Sequence, residues 1–539
     1  MLNFEVIYSK SGLPVLKPVS IGNERISLHS LYDPQREADR FINQFDLSDK
    51  DVIILVGLGI GYHLKSILSA APKKSKIIVF ERFHEIYNLF ESNKSILNIN
   101  SDNIEILCEG NKTDITYCIS KYINFRNFFK TKIITNLNSV KLDEKYYKSV
   151  VSCISDFLKF TFSNLATTGN YGYEWINNSF DNLKYLTESY DIKCIKQICC
   201  GKPAVIVSAG PSLSSSLCTL KKYRDYFYIF CVDTALSALL KENIIPDFVG
   251  TVDSQHDNYM LVRGLGNKYI KLITTIIVNP NILSEFKESD KFFFNSYSPL
   301  DNYLEHNSVL LSFIKSGGSV ATSLFSAVRE AECDPIIFIG QDLAFTKNNS
   351  HCISTSKIEN KYSGFNKFLT NETIFFEENR NAVACRDINE NYVYTSETLI
   401  NFKNWFELEF ADKKGNYINC TNAGILKNNI KLLDFEKAVK LYCKNIISKS
   451  DFKKNDFILS KKRLNELINN IKTELNKLEE KDGAELLLHL SKSELNEILS
   501  HTVQFDLFNF EMKKIQTHDL SENLKNNIKR LNEKLRCGF

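Results

Sequence analysis

The chain has almost no charge imbalance: 67 Lys and Arg face 64 Asp and Glu across 539 residues, a formal net charge of +3. So small an excess argues against a nucleic-acid protein that works by neutralising phosphates, while leaving room for a local basic pocket. The 14 cysteines are scattered, with one adjacent pair at Cys199 and Cys200, and nowhere adopt the Cys-x-x-Cys spacing of a zinc site or redox turn. They read as reduced, mostly buried thiols. No apolar run reaches ~18 residues, so membrane insertion is not expected. Met1 to Lys10 lacks the basic stretch and apolar run of a signal peptide, and the expected compartment is the cytoplasm. No pair of histidines has metal-ligand spacing on a helix. The only Asp-x-Asp, Asp49-Lys50-Asp51, precedes a strand, the wrong end for a metal-held sugar nucleotide. No metal site and no obligatory cofactor are therefore expected.

What is present is core-forming material. A chain 43% hydrophobic, with 38 Phe and 24 Tyr, is not disordered, and its length predicts two or three globular units.

The first of these, residues 1–165, carries the strand Val52-Ile53-Ile54-Leu55-Val56, the turn Gly57-Leu58-Gly59-Ile60-Gly61 and a helix from Tyr62. A second strand, Ile77 to Phe80, ends in Glu81, twenty residues after Gly61. This is the spacing of a Rossmann-like βαβ unit, in which the glycines permit a tight turn and the acid reaches ribose hydroxyls. Gly57, Gly59, Gly61 and Glu81 thus mark a second nucleotide-like site, which also looks like the S-adenosylmethionine site of a methyltransferase.

Residues 166–201 read as a linker helix. From Lys202 to about residue 428, short apolar runs alternate with helical or turn segments: Ala204 to Ser208, Tyr228 to Val232, Phe248 to Val252, Leu272 to Val278, Phe292 to Asn295 and Ile336 to Ile339. The alternation predicts a doubly wound, mostly parallel sheet that binds ligands at the carboxyl ends of its strands. Residues 362–394 are polar, aromatic and irregular, consistent with a lid or insertion. Residues 429–539 turn helical, with stripes at Leu464, Leu467, Ile468, Ile471, Leu475 and Leu478 and at Leu520, Leu524, Ile528, Leu531 and Leu535. The expected fold class is α/β: two Rossmann-like domains plus a C-terminal helical domain.

Four constellations fall at predicted strand ends. Gly210-Pro211-Ser212-Leu213 follows the first central strand and opens a helix, so its free amides and hydroxyl suit an anion, or it is an ordinary βα turn. Asp233 and Asp253 end adjacent strands and suit sugar or ribose hydroxyls, or serve as helix caps. Ser316-Gly317-Gly318-Ser319 precedes a helical run and offers amides to a carboxylate or phosphate, or is a capped loop. Gln341 and Asp342 follow Ile336 to Gly340, with His351 a few residues on. This histidine is a candidate base or a bystander, and His256 is its rival.

The succession GPSL, Val232-Asp233-Thr234-Ala235-Leu236, Ile245-Pro246-Asp247, the glycine pair and Gly340-Gln341-Asp342-Leu343-Ala344-Phe345 resembles the motility-associated-factor (Maf) flagellin glycosyltransferases. Their central domain is shared with archaeal MptE-like pterin pyrophosphokinases. Leu28-His29-Ser30-Leu31-Tyr32-Asp33-Pro34, then Glu37-Ala38, resembles the start of Maf proteins. The same domain is similar to bacterial sialyltransferases, and the resemblance implies roles. Gly210 and Ser212 become donor contacts, Ser316 to Gly318 the donor-carboxylate site, Asp342 a nucleotide contact and His351 the general base. Two positions depart from those families: Ala344 and Phe345 stand where the sialyltransferases have a phosphate-holding tyrosine, and Thr421-Asn422-Ala423-Gly424 replaces Thr-Glu-Gly-Gly.

The expectation is an inverting transferase that moves a pseudaminic or legionaminic acid from its CMP donor to Ser/Thr of flagellin. The rivals are pyrophosphoryl transfer from ATP to a hydroxymethylpterin, with Asp233 and Asp253 on Mg²⁺, methyl transfer through the first domain, and a non-enzymatic flagellin chaperone.

Overall fold

The computed structural model describes residues 4–18, 27–99, 102–123, 127–296, 298–345, 382–411, 415–449, 457–481 and 520–537, together with His351, Cys352, Thr355 and several residues between 486 and 499. Two compact units result, Met1–Thr168 and Gly169–Phe539.

In the first unit, β1 (Phe4–Tyr8) and β2 (Pro14–Pro18) form an antiparallel hairpin. Then β3 (Val52–Val56), β4 (Lys76–Glu81), β5 (Ile104–Cys108) and β6 (Thr131–Thr135) make a parallel sheet in the order β5-β4-β3-β6. Alternate residues of a strand point to opposite faces, and here both faces are covered. Ile53 and Leu55 join Ile77 and Val79 in one core, whereas Val52, Ile54 and Val56 join Ile78 and Phe80 in another. That is why β3 is apolar without interruption.

The helix Glu144–Asn182 carries the chain into the second unit. There β7 (Ser189–Asp191), β8 (Ala204–Val207), β9 (Tyr228–Val232), β10 (Phe248–Gly250), β11 (Lys271–Thr274), β12 (Lys291–Phe293), β13 (Ile336–Ile339), β16 (Tyr417–Asn419) and β17 (Lys431–Leu432) build one nine-stranded sheet; β14 (Val383–Arg386) and β15 (Tyr392–Thr395) form a separate antiparallel hairpin. All pairings in the large sheet are parallel, in the order β17-β16-β13-β8-β9-β10-β11-β12-β7. From β8 the chain steps outward through β9 to β12, and from β13 it steps the other way through β16 and β17. The topological switch point therefore lies between β8 and β13, where doubly wound sheets open a ligand crevice.

The strand expected over Leu272 to Val278 stops at Thr274. Beyond it the Asn182 side-chain amide donates to the carbonyls of Ile276 and Val278, at 2.8 and 2.7 Å, which draws that stretch away from the ladder. The helix Lys461–Glu479 buries Leu464, Leu467, Ile468, Ile471, Leu475 and Leu478, the stripe its sequence shows. It packs with the helix Leu520–Cys537, where the Asn532 amide donates to Asn476 and Glu479. These helices share one continuous core with the nine-stranded sheet instead of standing apart from it. Of the segment 362–394, residues 362–381 lie outside the described residues. Among the described residues, no helix is long and apolar enough to cross a membrane.

Candidate functional site

At the switch point the loops after β8 and β13 run side by side. The register Val207↔Ile339 brings Ser208 next to Gly340, and the Gly210 amide donates to the Gly340 carbonyl at 2.8 Å. Two side-chain clamps cross the gap. The Ser208 hydroxyl donates to the Gln341 side-chain carbonyl, and the Ser212 hydroxyl donates to Asp342 Oδ1. The Ser212 backbone N–H adds a 2.8 Å bond to Asp342 Oδ2. Only glycine fits at two points here. A Cβ on Gly210 would lie 2.5 Å from the Gly340 carbonyl oxygen, and one on Gly340 would lie 2.1 Å from that of Ser208.

This arrangement corrects the expectation of a free anion cradle at Gly210 to Leu213. The Gly210, Ser212 and Leu213 amides are all committed, to Gly340, Asp342 and Gly210 respectively. The anion at the positive end of the helix Leu213–Lys222 is Asp342 itself. Burial pushes the Asp342 carboxyl up to about 6, while the two bonds from Ser212 pull it down. Leu213 is wholly buried in the core. Neither it, Pro211 nor Ser212 is on the cavity wall.

The crevice opens into a cavity of ≈ 1130 Å³. Its walls bring together most of the expected residues: Gly210, Asp233, Asp253, Gly318, Ser319, Gln341, Asp342 and His351. Asp233 opens the helix Asp233–Lys241, is 2% exposed and accepts from the Thr234 amide at 2.7 Å through Oδ1. Burial, and then the charge of Asp253, push its carboxyl up to about 6. Asp253 is open to solvent on the cavity side and accepts from the Asn258 amide at 2.9 Å; the surrounding walls hinder its hydration and raise its carboxyl as well. His351 is half-buried on the wall, whereas His256 is exposed and packs against the Tyr259 ring away from it.

The glycine-pair loop differs from expectation. Ser316 and Gly317 are off the wall, Gly317 against the Trp405 ring. The amides of Gly317 and Ser319 donate to the Thr322 hydroxyl, that of Gly318 to the Ser316 hydroxyl, and the Ser319 hydroxyl caps the helix Val320–Glu330. A loop that satisfies its own amides does not present them to a carboxylate.

Sequence reasoning missed a whole wall. Phe345 bridges to Tyr394 of β15, its amide donating to the Tyr394 carbonyl at 2.8 Å, and the Thr395 hydroxyl donates to the Leu343 carbonyl. The chain then enters the helix Glu397–Phe410, and Ser396, Thr398, Leu399 and Phe402 face the cavity. Ser396, an N-cap three residues before Leu399, was the available signal. The departure Thr421-Asn422-Ala423-Gly424 backs the site: the Thr421 hydroxyl accepts from the Gln341 amide, Gly424 packs under Asp342, and the Asn422 amide reaches Ser215. Asp247 of Ile245-Pro246-Asp247 is structural, pairing with Arg224 and Lys449.

In the first unit, Gly57, Gly59, Gly61 and Glu81 do come together, but around one another. Glu81 is fully buried and accepts from the amides of Leu58, Arg82 and Phe83 and from the Tyr147 hydroxyl. A Cβ at Gly57, Gly59 or Gly61 would meet Ser139, His29 or Phe90 at 2.4, 2.6 or 2.8 Å. The acid closes the turn instead of reaching for a ribose. The unit's own cavity, ≈ 520 Å³, opens beside Arg82, Glu109, Asn111 and Ser149.

The family model described as "6-hydroxymethylpterin diphosphokinase MptE-like" matches residues 177–348. Two uncharacterized proteins of Treponema pallidum (strain Nichols) are similar. One is 21% identical over 342 residues, 62% of this chain and 59% of that protein; the other is 27% identical over 112 residues, 21% of this chain and 52% of that protein. The chain thus spans between about half and three fifths of the length of the curated relatives it matches. Among solved structures, a Maf glycosyltransferase from Magnetospirillum magneticum AMB-1 superposes with a TM-score of 0.61 at 13% identity, over 99% of this chain and 91% of that one. At that identity the likeness is one of fold. Both matches fall on the Maf and MptE-like relationship that the motif succession indicated.

Proposed function

We propose that this protein, whose fold is that of a Maf glycosyltransferase, transfers a nonulosonic acid from its CMP donor to Ser or Thr hydroxyls of flagellin. The observation that carries the reading is the cavity at the β8/β13 switch point, with His351, Asp342 and Gln341 on one wall and Asp233 and Asp253 on another. Its volume accommodates a nucleotide sugar with room for an acceptor side chain. The likeness of fold to a Maf glycosyltransferase over 99% of this chain supports the same reaction class.

In this reading His351 accepts the proton of the acceptor hydroxyl as its oxygen attacks the anomeric carbon. The new glycosidic bond forms while the bond from carbon to phosphate oxygen breaks, and CMP leaves with the electron pair. Single displacement inverts the configuration. Asp342 acts from beneath: by tying Ser212 to the β13 loop, beside the Gly210 bond to the Gly340 carbonyl, it fixes the rim on which the donor rests.

A second reading, pyrophosphoryl transfer from ATP to a pterin, is favoured by the family match over residues 177–348. Thermal unfolding separates the two. CMP at 100 times its dissociation constant stabilises the folded protein by about 2.7 kcal/mol if it binds only the folded state. Stabilisation by CMP and not by Mg²⁺-ATP supports sugar transfer, and the reverse pattern supports the diphosphokinase.

A further inference from the structure

Cys352 stands next to His351 in the chain and is held at every polar group it has. Its N–H donates to the Ala209 carbonyl at 2.8 Å. Its carbonyl accepts from the Thr355 amide at 3.1 Å and from the Thr355 hydroxyl at 2.8 Å. Its Sγ and the Ser214 hydroxyl oxygen are hydrogen-bonded at 3.0 Å. Cys352 is 1% exposed and Thr355 is wholly buried, whereas His351 is half-buried and faces the cavity. Cys352 is not itself on the cavity wall, so whatever it does for a ligand passes through its neighbour.

Both anchor points belong to the frame of the switch point. Ala209 lies between Ser208, whose hydroxyl donates to Gln341, and Gly210, whose amide donates to Gly340. Ser214 sits in the first turn of the helix Leu213–Lys222, just after the Ser212 to Asp342 clamp. At Cys352 the chain that left β13 is therefore fastened back onto the loop after β8. This matters for a general base, which must lie within hydrogen-bond reach of the proton it takes. A misplacement of ~1 Å can cost ~100-fold in rate.

We infer that Cys352 is a positioning residue: through the Ala209 carbonyl and the Ser214 hydroxyl it fixes the His351 imidazole on the cavity wall, in one frame with Asp342. A free thiol packs as a small apolar group and keeps a weak S–H, so it can fill the buried side of the turn and still be oriented by a hydroxyl. What the fixed imidazole does rests on the proposed sugar transfer; the anchoring does not. The sequence gives this cysteine no mark among 14 scattered ones, because Ala209 and Ser214 lie far from it along the chain.

The test joins NMR of the histidine ring Cε1–Hε1 groups in the full-length protein to transfer kinetics, with the His351 signal assigned by its loss in His351→Ala. One sharp His351 signal is expected in the wild type. Cys352→Ala and Ser214→Ala should shift or broaden it and lower kcat by ~10-fold, with CMP affinity unchanged. Cys352→Ser keeps a hydrogen-bonding group facing Ser214 and should restore most of both, and the double variant Ser214→Ala/Cys352→Ala should fall no further than either single one. Because Ser214 is exposed, its variant carries the test even if Cys352→Ala fails to fold. An unaltered His351 signal in these variants overturns the proposal. So does a rate loss of the same factor when Cys352→Ala is added to His351→Ala, since the effect then does not act through the imidazole. A displaced signal at the wild-type rate upholds the positioning and defeats His351 as the base of the proposed transfer.

Discussion

Ser212 donates twice to Asp342, through its backbone N–H and through its hydroxyl, across 130 positions of sequence. The pair joins the loops after β8 and β13, and the crevice exists because both loops are held in register. Removing the hydroxyl in Ser212→Ala takes a donor from a buried carboxylate and is expected to cost about 1.5–3 kcal/mol, read as a lower denaturant midpoint. The Asp342 carboxyl is raised to about 6, so below that pH it protonates and loses its grip as an acceptor. CMP binding should weaken as pH falls through about 6 in the wild type, and this limb should flatten in Asp342→Asn.

Gly210→Ala places a methyl 2.5 Å from the Gly340 carbonyl oxygen and 2.8 Å from Asp342 Cγ. The first of these neighbours is backbone and the second is clamped by Ser212, so neither gives way easily. An overpacking cost of ~1–3 kcal/mol is expected, with loss of CMP binding beyond what the stability change explains. Calorimetry on the folded fraction checks it.

His351→Ala should retain CMP affinity and lower the transfer rate by ~100-fold or more, as removal of a general base does. His256→Ala should transfer at the wild-type rate, since its exposed ring lies off the cavity wall. Steady-state rates of the two variants side by side decide between the histidines.

The first unit carries an acid sensitivity of its own. His29 accepts from the Ile60 amide and is buried, which lowers it to about 3, and burial lowers His63 to about 4. In the unfolded chain both titrate near ~6.5. Between that pH and the folded values the unfolded state binds the extra protons, so stability is full above ~6.5 and is lost as pH falls, by up to ~1.4 kcal/mol per pH unit for each histidine. His29→Gln, which keeps an acceptor for Ile60, should flatten the acid limb of a stability-against-pH curve.

The sequence exposed those parts of the fold in which one residue's chemistry answers to its immediate neighbours. β8, β9 and β13 are continuous apolar runs because both faces of a parallel sheet are buried, and the Leu464 to Leu478 stripe needs only its own helix. β7, β16 and β17 are two or three residues long, too short for any period to register. At the site, strand-end position was enough to put Asp233, Asp253 and Asp342 on the cavity wall, where His351, further along the chain, also lies. It did not show where the amides go. Thr322 takes those of Gly317 and Ser319, Asp342 takes that of Ser212, and Glu81 takes that of Leu58; each competitor is a side chain from elsewhere in the chain or the next helical turn. The Ser396 to Phe402 wall was hidden for a similar reason, since it reaches the cavity only through the Phe345–Tyr394 bridge.

The central claim is sugar transfer to flagellin, and the most direct measurement is the intact mass of flagellin after incubation with this protein and a CMP-activated nonulosonic acid. The predicted result is a ladder of increments, each equal to one nonulosonic acid residue, present with the wild type and nearly absent with His351→Ala. Flagellin that binds the protein and emerges at its unmodified mass would contradict the claim.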